Sequence, residues 1–298
     1  MLNNIDTHSG YIAIIGRPNV GKSTLLNYIL GKKVSITSRK AQTTRFKILG
    51  IKTVENYQFI YVDTPGIHDR TDSKLNVYMN KAALSVLNDV DVIIFVVAGT
   101  RWKKEEDYIL EALTKTKSPV ILVINKVDLV LEKKRLLGFI ENLNKKYNFV
   151  ATVPVSATKG DNVSALEKEV KKLLPKSPFF FPKEQITDRN DRFLAAEIIR
   201  EKLTRLLGQE LPYSLSVVID SMESKKNILS IAATIYVERR GQKIIIIGKD
   251  GSVLKKIGML ARQEMEELFA KKVFLQLWVK VKSNWTSDER ALRYFGYK

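Results

Sequence analysis

The chain has 298 residues, 45% of them hydrophobic, which is enough for one large domain or two ordinary ones. Fifty Lys and Arg against 32 Asp and Glu give a net charge of +18, which favours a polyanionic partner such as nucleic acid or an acidic membrane surface. The lack of cysteine excludes disulfides, thiolate metal sites and cysteine nucleophiles, and we expect neither a transmembrane helix nor a signal peptide.

The first predicted strand, Tyr11–Ile15, leads into the loop Gly16-Arg17-Pro18-Asn19-Val20-Gly21-Lys22-Ser23, which fits G-x-x-x-x-G-K-[ST]. Backbone N–H groups of such a loop surround phosphates, and its glycines permit angles that a Cβ would obstruct. A helix predicted from about Gly21 to Leu30 adds a favourable dipole. Lys22 would reach the β- and γ-phosphates and the Ser23 hydroxyl would bind Mg²⁺. The alternative is a plain glycine turn.

Strand-like and helix-like segments alternate through residues 1–175. The apolar runs are Tyr11–Ile15, Phe46–Ile51, Tyr57–Val62, Val92–Val97, Val120–Ile124 and Phe149–Val153. The amphipathic stretches are Leu75–Asn88, Lys104–Lys115, Glu132–Lys145 and Val163–Leu174. This alternation predicts an α/β domain with a mostly parallel sheet and helices on both faces. Ligands bind such sheets at the carboxyl ends of the strands.

Two loops after the first helix are candidates for switch segments. The polar loop at residues 38–45 contains two threonines that could supply a second Mg²⁺ hydroxyl, although the spacing does not say which, and an ordinary solvated loop is the alternative. Asp63-Thr64-Pro65-Gly66 follows a strand, where Asp63 can hold Mg²⁺ through a water. The Gly66 N–H can bond the γ-phosphate, so phosphate loss would release the switch segment Asp63–Asp72. By itself, D-T-P-G is equally typical of a turn.

Asn125-Lys126-Val127-Asp128 follows the apolar run that ends at Ile124. The Asp128 carboxylate can accept hydrogen bonds from N1–H and the exocyclic amine of guanine, a pair that adenine lacks, so it favours GTP over ATP. We expect Asn125 to tie loops together and the Lys126 stem to cover the base. After the last strand, Ser156-Ala157 offers the Ala157 N–H to the guanine O6. The alternative for Asp128 is a helix cap.

The pattern changes at residues 174–182, where three prolines exclude a helix interior or a central strand. We predict a nucleotide-binding domain over residues 1–175, a linker over 176–189 and a second domain over 190–298. In the second domain, helices are expected at Asp191–Leu207, Gly251–Ala270 and Ser287–Tyr294, and strands at Ser214–Asp220, Ile228–Glu238 and Val273–Val281. This is an α+β arrangement.

The second domain contains the G-x-x-G sequence Gly248-Lys249-Asp250-Gly251. Such a loop between two helices clamps a nucleotide backbone while neighbouring apolar residues receive unstacked bases. Between Arg239 and Lys256 there are six basic residues and one acidic residue. The β-branched run Lys243–Ile247 has strand propensity, whereas this interpretation requires a short helix. A hairpin turn is the alternative.

The motifs together resemble the translation-factor-related P-loop GTPases, and G-R-P-N-V-G-K-S-T with Q-T-T-R, D-T-P-G, N-K-V-D and S-A is close to the Era family. The sequence I-I-G-K-D-G-S-V-L-K-K-I-G resembles the signature of a KH domain of the bacterial type. The resemblance implies a GTPase that forms GDP and phosphate, with Thr44 as the Mg²⁺-binding threonine. It also implies binding near the 3′ end of 16S ribosomal RNA, a role in 30S subunit maturation, and a cytoplasmic monomer partly associated with the inner membrane surface.

The resemblance assigns the sites residue by residue. Catalytic roles fall to Lys22, Thr44, Asp63 and Gly66, and Mg²⁺ ligation falls to Ser23, Thr44 and, through a water, Asp63. The nucleotide is expected on Gly16, Arg17, Pro18, Asn19, Val20, Gly21, Lys22, Ser23, Thr24, Asp63, Thr64, Pro65, Gly66, Ile67, Asn125, Lys126, Asp128, Ser156 and Ala157. RNA is expected on Arg239, Arg240, Lys243, Ile247, Gly248, Lys249, Asp250, Gly251, Lys255 and Lys256.

One position bears on the rate of hydrolysis. Ile67 stands where Ras-like enzymes carry a glutamine that orients the attacking water, so slow intrinsic hydrolysis is expected. In related GTPases an Asn at the position of Asn19 binds K⁺, which makes K⁺ a further candidate cofactor; a loop hydrogen-bonding role is the alternative. The other functions that we consider are a GTPase acting on a different structured RNA and a membrane-associated regulatory GTPase.

Overall fold

The computed structural model describes residues 6–38, 40, 42–67, 73–207 and 214–297. These residues fall into two compact units. The first takes residues from Met1–Ser35, Thr44–Thr71 and Met79–Asp188, and the second takes residues from Ile36–Thr43, Asp72–Tyr78 and Arg189–Lys298.

The nucleotide-domain sequence forms strands and helices in alternation. The strands are β1 (His8–Ile15), β2 (Ile48–Val54), β3 (Tyr57–Asp63), β4 (Val92–Ala98), β5 (Val120–Asn125) and β6 (Ala151–Pro154). The helices are α1 (Lys22–Leu30), α2 (Lys74–Leu84), α3 (Lys104–Leu113), α4 (Lys133–Lys146) and α5 (Val163–Leu173). The sheet order is β2-β3-β1-β4-β5-β6, and every pair is parallel except β2 with β3. The predicted architecture is confirmed.

The core of the first unit lies on both faces of this sheet. Ile12 and Ile14 of β1 pack with the residues that α1 and α5 bury, whereas Ala13 and Ile15 face the side of α3 and α4. Because successive strand residues point to opposite faces, a run of apolar residues buried on both sides is typical of a central parallel strand. The register pairs Ile14 with Asp63, which brings the carboxyl ends of β1 and β3 to one edge.

The second unit is built on a three-stranded sheet. Its elements are α6 (Asp191–Leu206), β7 (Leu215–Lys225), β8 (Ile228–Val237), α7 (Arg240–Ile247), α8 (Ser252–Phe269), β9 (Lys272–Val281) and α9 (Glu289–Tyr294). In the order β7-β8-β9, β7 is antiparallel to β8 and β8 is parallel to β9. On β9, Val273 and Val279 are buried while Phe274 and Trp278 are exposed, so one face of the sheet carries the core.

The residues around Lys243–Ile247 form helix α7, which confirms the KH interpretation over strand propensity. The Gln242 side-chain oxygen accepts the backbone N–H of Glu238 and Arg239, each at 2.9 Å, and so closes the helix start. Ile246 is fully buried whereas Ile244 is 70% exposed, which fits helical rather than alternating periodicity. Tertiary packing therefore overrides the local β-propensity.

The proline-rich segment through Asp188 belongs to the first unit. The Gln58 side chain accepts the backbone N–H of Phe180 and Phe181 at 2.9 and 3.0 Å, and donates to the Phe181 carbonyl at 2.8 Å. Further along, the Ile51 N–H donates to the Ile186 carbonyl at 2.7 Å. This part of the predicted linker is therefore hydrogen-bonded to β2 and β3. Among the described residues, no helix combines the length and apolarity needed to cross a bilayer.

Candidate nucleotide and RNA sites

The loop between β1 and α1 has the backbone geometry that its glycines predict. Gly16 and Gly21 have φ of +153° and +101°, and a Cβ on Gly16 would stand 2.4 Å from the Val96 carbonyl oxygen. Asn19 also has a positive φ of 63°. A side chain at either glycine would therefore displace the loop. The loop ends at the start of α1, where the free backbone N–H groups and the helix dipole favour an anion.

Lys22 is the buried cation of this loop. Its Nζ donates to the carbonyls of Gly16 at 2.9 Å and Arg17 at 3.1 Å. Burial lowers the pKa of Lys22 to about 8, although the Asp63 carboxylate opposes this shift. An ammonium held inside a loop of N–H groups is suited to bind the β- and γ-phosphates.

Three predicted metal ligands lie together at the end of β3. The Ser23 hydroxyl is 2.7 Å from both Thr44 Oγ1 and Asp63 Oδ2. Asp63 is fully buried, and its other carboxylate oxygen, Oδ1, has no hydrogen-bond partner among the described residues. Burial raises the pKa of Asp63, which the Lys22 ammonium and hydroxyl donors counteract. An unsatisfied buried carboxylate oxygen beside two hydroxyls fits a hard divalent cation such as Mg²⁺.

The D-T-P-G segment is fixed to the phosphate loop. The Thr64 hydroxyl donates to the Ile14 carbonyl at 2.8 Å, and the Ile67 N–H donates to the Gly16 carbonyl at 3.3 Å. A Cβ on Gly66 would lie 2.7 Å from the Pro18 nitrogen, so this glycine permits a close backbone approach. The Ile67 side chain is fully buried and belongs to the core on the α3 and α4 side of the sheet. The later part of the second switch, through Asp72, lies outside the described residues.

Asn125 ties three loops together, as the sequence predicts. Its Nδ2 donates to the Val20 carbonyl at 2.7 Å, and its Oδ1 accepts the N–H groups of Lys126 at 2.8 Å and Ala157 at 3.0 Å. The Lys126 ammonium reaches the Asn19 carbonyl at 2.6 Å. The predicted donor to guanine O6, the Ala157 N–H, is thus directed at Asn125 here.

Asp128 follows in a short 3₁₀ turn, Val127–Leu129. Its Oδ1 is buried and lacks a hydrogen-bond partner in the described part of the chain. A buried, unpartnered carboxylate oxygen is costly unless a ligand satisfies it. The Asp128 carboxylate therefore has the surroundings expected of a base-recognition group, rather than those of a helix cap.

The remaining predicted nucleotide residues are all at least half-buried. Pro18 and Thr24 are half-buried, and Val20 and Ser156 are fully buried. The site joins the ends of β1, β3, β5 and β6, in agreement with the sequence order of the motifs. This is the edge at which parallel sheets bind ligands.

Three supporting residues were not found from the sequence. Ser35 donates its hydroxyl to Asp63 Oδ2 at 2.8 Å, and Asn27 of α1 holds the Ser35 backbone through a 2.7 Å and a 3.0 Å hydrogen bond. The fully buried Glu106 of α3 pairs with Arg17, and its other oxygen accepts the Lys103 N–H at 2.7 Å. Ser35 and Glu106 act through residues far along the chain, Asp63 and Arg17, and Asn27 acts through Ser35, so no sequence motif marks them.

The G-x-x-G loop lies between α7 and α8, where the sequence places it. Gly248 and Gly251 have φ of +72° and +74°, and Asp250 has φ of +51°. A Cβ on Gly248 would stand 2.5 Å from the Val253 side chain. The exposed basic residues next to this loop are Arg239, Arg240, Lys249, Lys255 and Lys256, whereas Lys243 and Ile247 are half-buried.

A groove of about 640 Å³ runs from this loop along α8 and β9. It is lined by Gly251, Leu254, Lys255, Gly258, Met259, Arg262, Val273, Phe274, Leu275 and Leu277. Phe274 is 54% exposed and Met259 is 47% exposed. The β9 residues are absent from the RNA-binding set predicted above, because their alternation marks them only as the open face of a strand. Exposed apolar side chains beside basic ones are suited to unstacked bases.

Comparison with known proteins places these sites in one family. Residues 11–126 match a family described as 50S ribosome-binding GTPase, and residues 210–286 match the KH domain. The chain is 54% identical over 292 residues to GTPase Era of Coxiella burnetii (strain Dugway 5J108-111), covering 98% of this chain and 99% of the relative. GTPase Era of Haemophilus influenzae (strain PittGG) is 55% identical over 292 residues, covering 98% and 97%. The chain belongs to the Era family of GTPases.

Two solved Era structures match the whole fold. Both have a TM-score of 0.95 and 43% identity, covering 98% of this chain and 99% of the other. One is Era in complex with MgGDPNP and nucleotides 1506–1542 of 16S ribosomal RNA, and the other is a variant of Aquifex aeolicus Era bound to GDP.AlF4⁻. Family membership thus confirms the sequence prediction of a GTPase with a C-terminal KH domain.

Proposed function

We propose that this chain is a GTP-hydrolysing switch that binds 16S ribosomal RNA near its 3′ end and assists maturation of the 30S subunit. The observation that supports it most directly is a buried carboxylate oxygen on each of Asp63 and Asp128 that has no hydrogen-bond partner among the described residues. The first lies where a cation would neutralise a triphosphate, and the second follows β5, where a base would be read. An Era bound to MgGDPNP and a 16S fragment supports the same assignment.

The nucleotide site acts by positioning and charge neutralisation. The N–H groups of the phosphate loop and the Lys22 ammonium bind the phosphates, and Asp128 selects guanine. Mg²⁺ would be held by Ser23, Thr44 and, through a water, Asp63, and would neutralise charge on the β- and γ-oxygens. The Gly66 N–H would bond the γ-phosphate, which links that phosphate to the start of the second switch.

The attacking water has no side-chain partner at position 67, because Ile67 is a core residue. We therefore propose slow intrinsic hydrolysis, with the water placed by the backbone, by a cation or by a partner. K⁺ near Asn19 remains the candidate cation. Phosphoryl transfer needs mainly positioning and electrostatics, so a slow rate is compatible with an otherwise complete site.

RNA would bind across the G-x-x-G loop and the groove along α8 and β9. The backbone of a single strand would lie on the loop and its basic neighbours, and unstacked bases would face Phe274 and Met259. Residues outside the sequence-derived set, Arg262 above all, would extend this interface. A peripheral contact with the inner membrane surface would rest on the net positive charge alone.

Base selection by Asp128 is tested by Asp128→Asn. The side-chain oxygen of asparagine can accept the guanine N1–H, but its NH₂ group would face the exocyclic amine of guanine, which is also a donor. In xanthine that position is a carbonyl, which can accept a hydrogen bond from the NH₂ group. We expect GTP affinity to fall by about 100-fold or more and xanthosine triphosphate to bind in its place. Equilibrium binding of both nucleotides to both proteins measures this exchange. If the variant kept its preference for GTP, Asp128 would not be the base-reading residue.

A further inference from the structure

Residues 36–43 belong by sequence to the nucleotide domain, yet they form part of the second unit. The chain passes from the second unit to the first at the peptide bond between Thr43 and Thr44. Thr44 is the expected magnesium ligand of the first switch. The contacts that hold residues 36–43 therefore determine the position of the chain immediately before Thr44.

Helix α6 carries the groups that fix this segment. Glu197, Arg200 and Glu201 are 5%, 2% and 0% exposed. Charged side chains are seldom buried to this extent unless they are paired. If these side chains served only to pack α6 against its neighbours, apolar residues would stabilise the fold at least as well. Their partners indicate what they hold.

The first point of attachment is Thr37. Glu201 Oε1 accepts the Thr37 backbone N–H at 2.9 Å, and Arg205 donates to the Thr37 carbonyl at 3.1 Å and to its hydroxyl at 3.0 Å. Arg205 also pairs with Glu201 at 2.9 Å. The N–H, carbonyl and hydroxyl of one residue are thus all bound by one ion pair on α6.

The second point of attachment is next to Thr44. Arg200 is held by Glu197 through contacts of 2.7 and 2.6 Å, and it donates to the carbonyls of Gln42, at 3.4 Å, and Thr43. The Thr43 carbonyl and the Thr44 nitrogen belong to the same planar peptide group. Arg200 therefore restrains the orientation of the peptide group from which Thr44 begins.

We propose that Arg200, Glu201 and Arg205 are positioning residues that place Thr44 for the triphosphate state. This inference rests on the proposed function, since it takes Thr44 as the magnesium ligand. None of the three contacts the reacting atoms in this scheme. They hold the segment at two points, Thr37 and residues 42–43. This attachment limits the conformations of the loop, so that the Thr44 hydroxyl is placed next to Ser23. Binding free energies are reciprocal, so occupancy at Thr44 would also favour the ordered segment on α6.

The first test is Arg205→Ala in the full-length protein. Arg205 is half-exposed, and its removal keeps the buried Glu197–Arg200 pair and leaves Glu201 its contact with Lys202 at 3.6 Å. We expect the affinity for GDPNP with Mg²⁺ to fall about tenfold, the loss expected for charge-assisted hydrogen bonds, and the affinity for GDP to change less than about twofold. The kcat for GTP should fall in parallel. The matched control is Arg192→Ala, an exposed arginine on the same helix, which should change neither affinity.

A purely structural role would lower both nucleotide affinities together, or neither, and either result would overturn the proposal. Thr37→Val provides a second variant that removes only the Thr37 hydroxyl, which accepts from Arg205 at 3.0 Å and donates to Glu201 Oε1 at 3.4 Å. It should shift the ratio of GDPNP to GDP affinity in the same direction by a smaller factor. An unchanged ratio in both Arg205→Ala and Thr37→Val would also refute the inference.

A double-mutant cycle with Thr44→Ala separates this inference from the proposed function. If Arg205 acts through Thr44, Arg205→Ala should have no further effect on the affinity ratio in the Thr44→Ala background. Additive effects would refute the positioning role while leaving the GTPase assignment intact. If Thr44→Ala alone left GDPNP affinity unchanged, the assignment of Thr44 itself would fail.

Discussion

At the scale of single residues, the nucleotide site combines groups that the sequence identifies with groups that it does not. Lys22, Asp63 and Asp128 are predicted because their motifs have a fixed spacing to a strand or a loop. Ser35 and Asn27 are not, since their roles arise from loop closure onto α1 and β3. Sequence reasoning therefore finds the residues that would touch the ligand more readily than those that orient them.

The lowered pKa of Lys22 leads to a pH prediction. In the free protein this lysine loses its proton as the pH rises through about 8, whereas phosphate binding needs the ammonium. The affinity for GDP should therefore be highest well below pH 8 and should decline as the pH rises through that value. Between pH 7.0 and 8.5 we expect GDP affinity to fall about fourfold.

Titration calorimetry or fluorescence binding across this range measures the change. Lys22→Ala should bind weakly at every pH and show no such decline. A wild-type affinity that stays constant from pH 7.0 to 8.5 would mean that Lys22 remains protonated in the free loop.

At the scale of elements, propensity and periodicity predict most of the fold, and the exceptions have physical causes. The parallel sheet and its helices are confirmed because buried strands and amphipathic helices have distinct patterns. Helix α7 needs the KH resemblance, since the run Lys243–Ile247 has the composition of a strand. Strand β7 extends to Lys225, beyond the predicted Asp220, past an irregularity in its pairing between Ile219 and Ser221. Polar residues beyond an irregularity give no alternating signal.

The helix–turn–helix of α7 and α8 leads to a prediction about RNA binding. Lys249 is exposed in the turn, where it would contact a phosphate. Lys249→Ala should weaken RNA binding and reduce the slope of log K against log salt by about 0.7, the value for one phosphate contact with a single strand. GTP hydrolysis without RNA should be unchanged.

The control is Lys226→Ala, which removes an exposed lysine at the turn between β7 and β8. It should leave the salt slope near the wild-type value. Equal effects of the two substitutions would indicate that RNA responds to the overall charge rather than to the G-x-x-G turn. A 16S fragment covering the 3′ end is the appropriate probe.

At the scale of the whole molecule, two units carry separate cores and separate sites. The boundary of the second unit is not simply the predicted linker, since residues 36–43 and 72–78 are grouped with it. Sequence alone does not reveal this grouping, because it follows from contacts such as that between Gln42 and Asn76, 2.7 Å, and not from composition. The predicted boundaries at 175 and 190 remain predictions.

Residues 36–43, which lead to the expected magnesium ligand Thr44, are grouped with the unit that carries the G-x-x-G loop. We therefore predict that the nucleotide and RNA affinities are linked. RNA affinity should differ between the GDPNP and GDP states of the full chain, by about 5- to 150-fold if the coupling is of ordinary size. By reciprocity, RNA should change the ratio of GDPNP to GDP affinity by the same factor. Fluorescence anisotropy with a labelled 16S fragment measures the first quantity, and nucleotide competition measures the second. Equal RNA affinities in both states would rule out a switch.

The burial of the Ile67 side chain limits how the lifetime of the GTP-bound form can be changed by substitution. The side chain packs among apolar residues in the core, while its N–H is engaged by Gly16. Ile67→Gln would bury an amide without a partner, so we expect a loss of about 1–3 kcal/mol in unfolding free energy and no gain in turnover. Chemical denaturation and a phosphate-release assay would check both outcomes, and faster turnover would contradict the expectation. Placing the glutamine of Ras-like enzymes at position 67 therefore cannot speed up GTP hydrolysis in this protein. Evolution would have to adjust the rate through the molecules that bind to the protein.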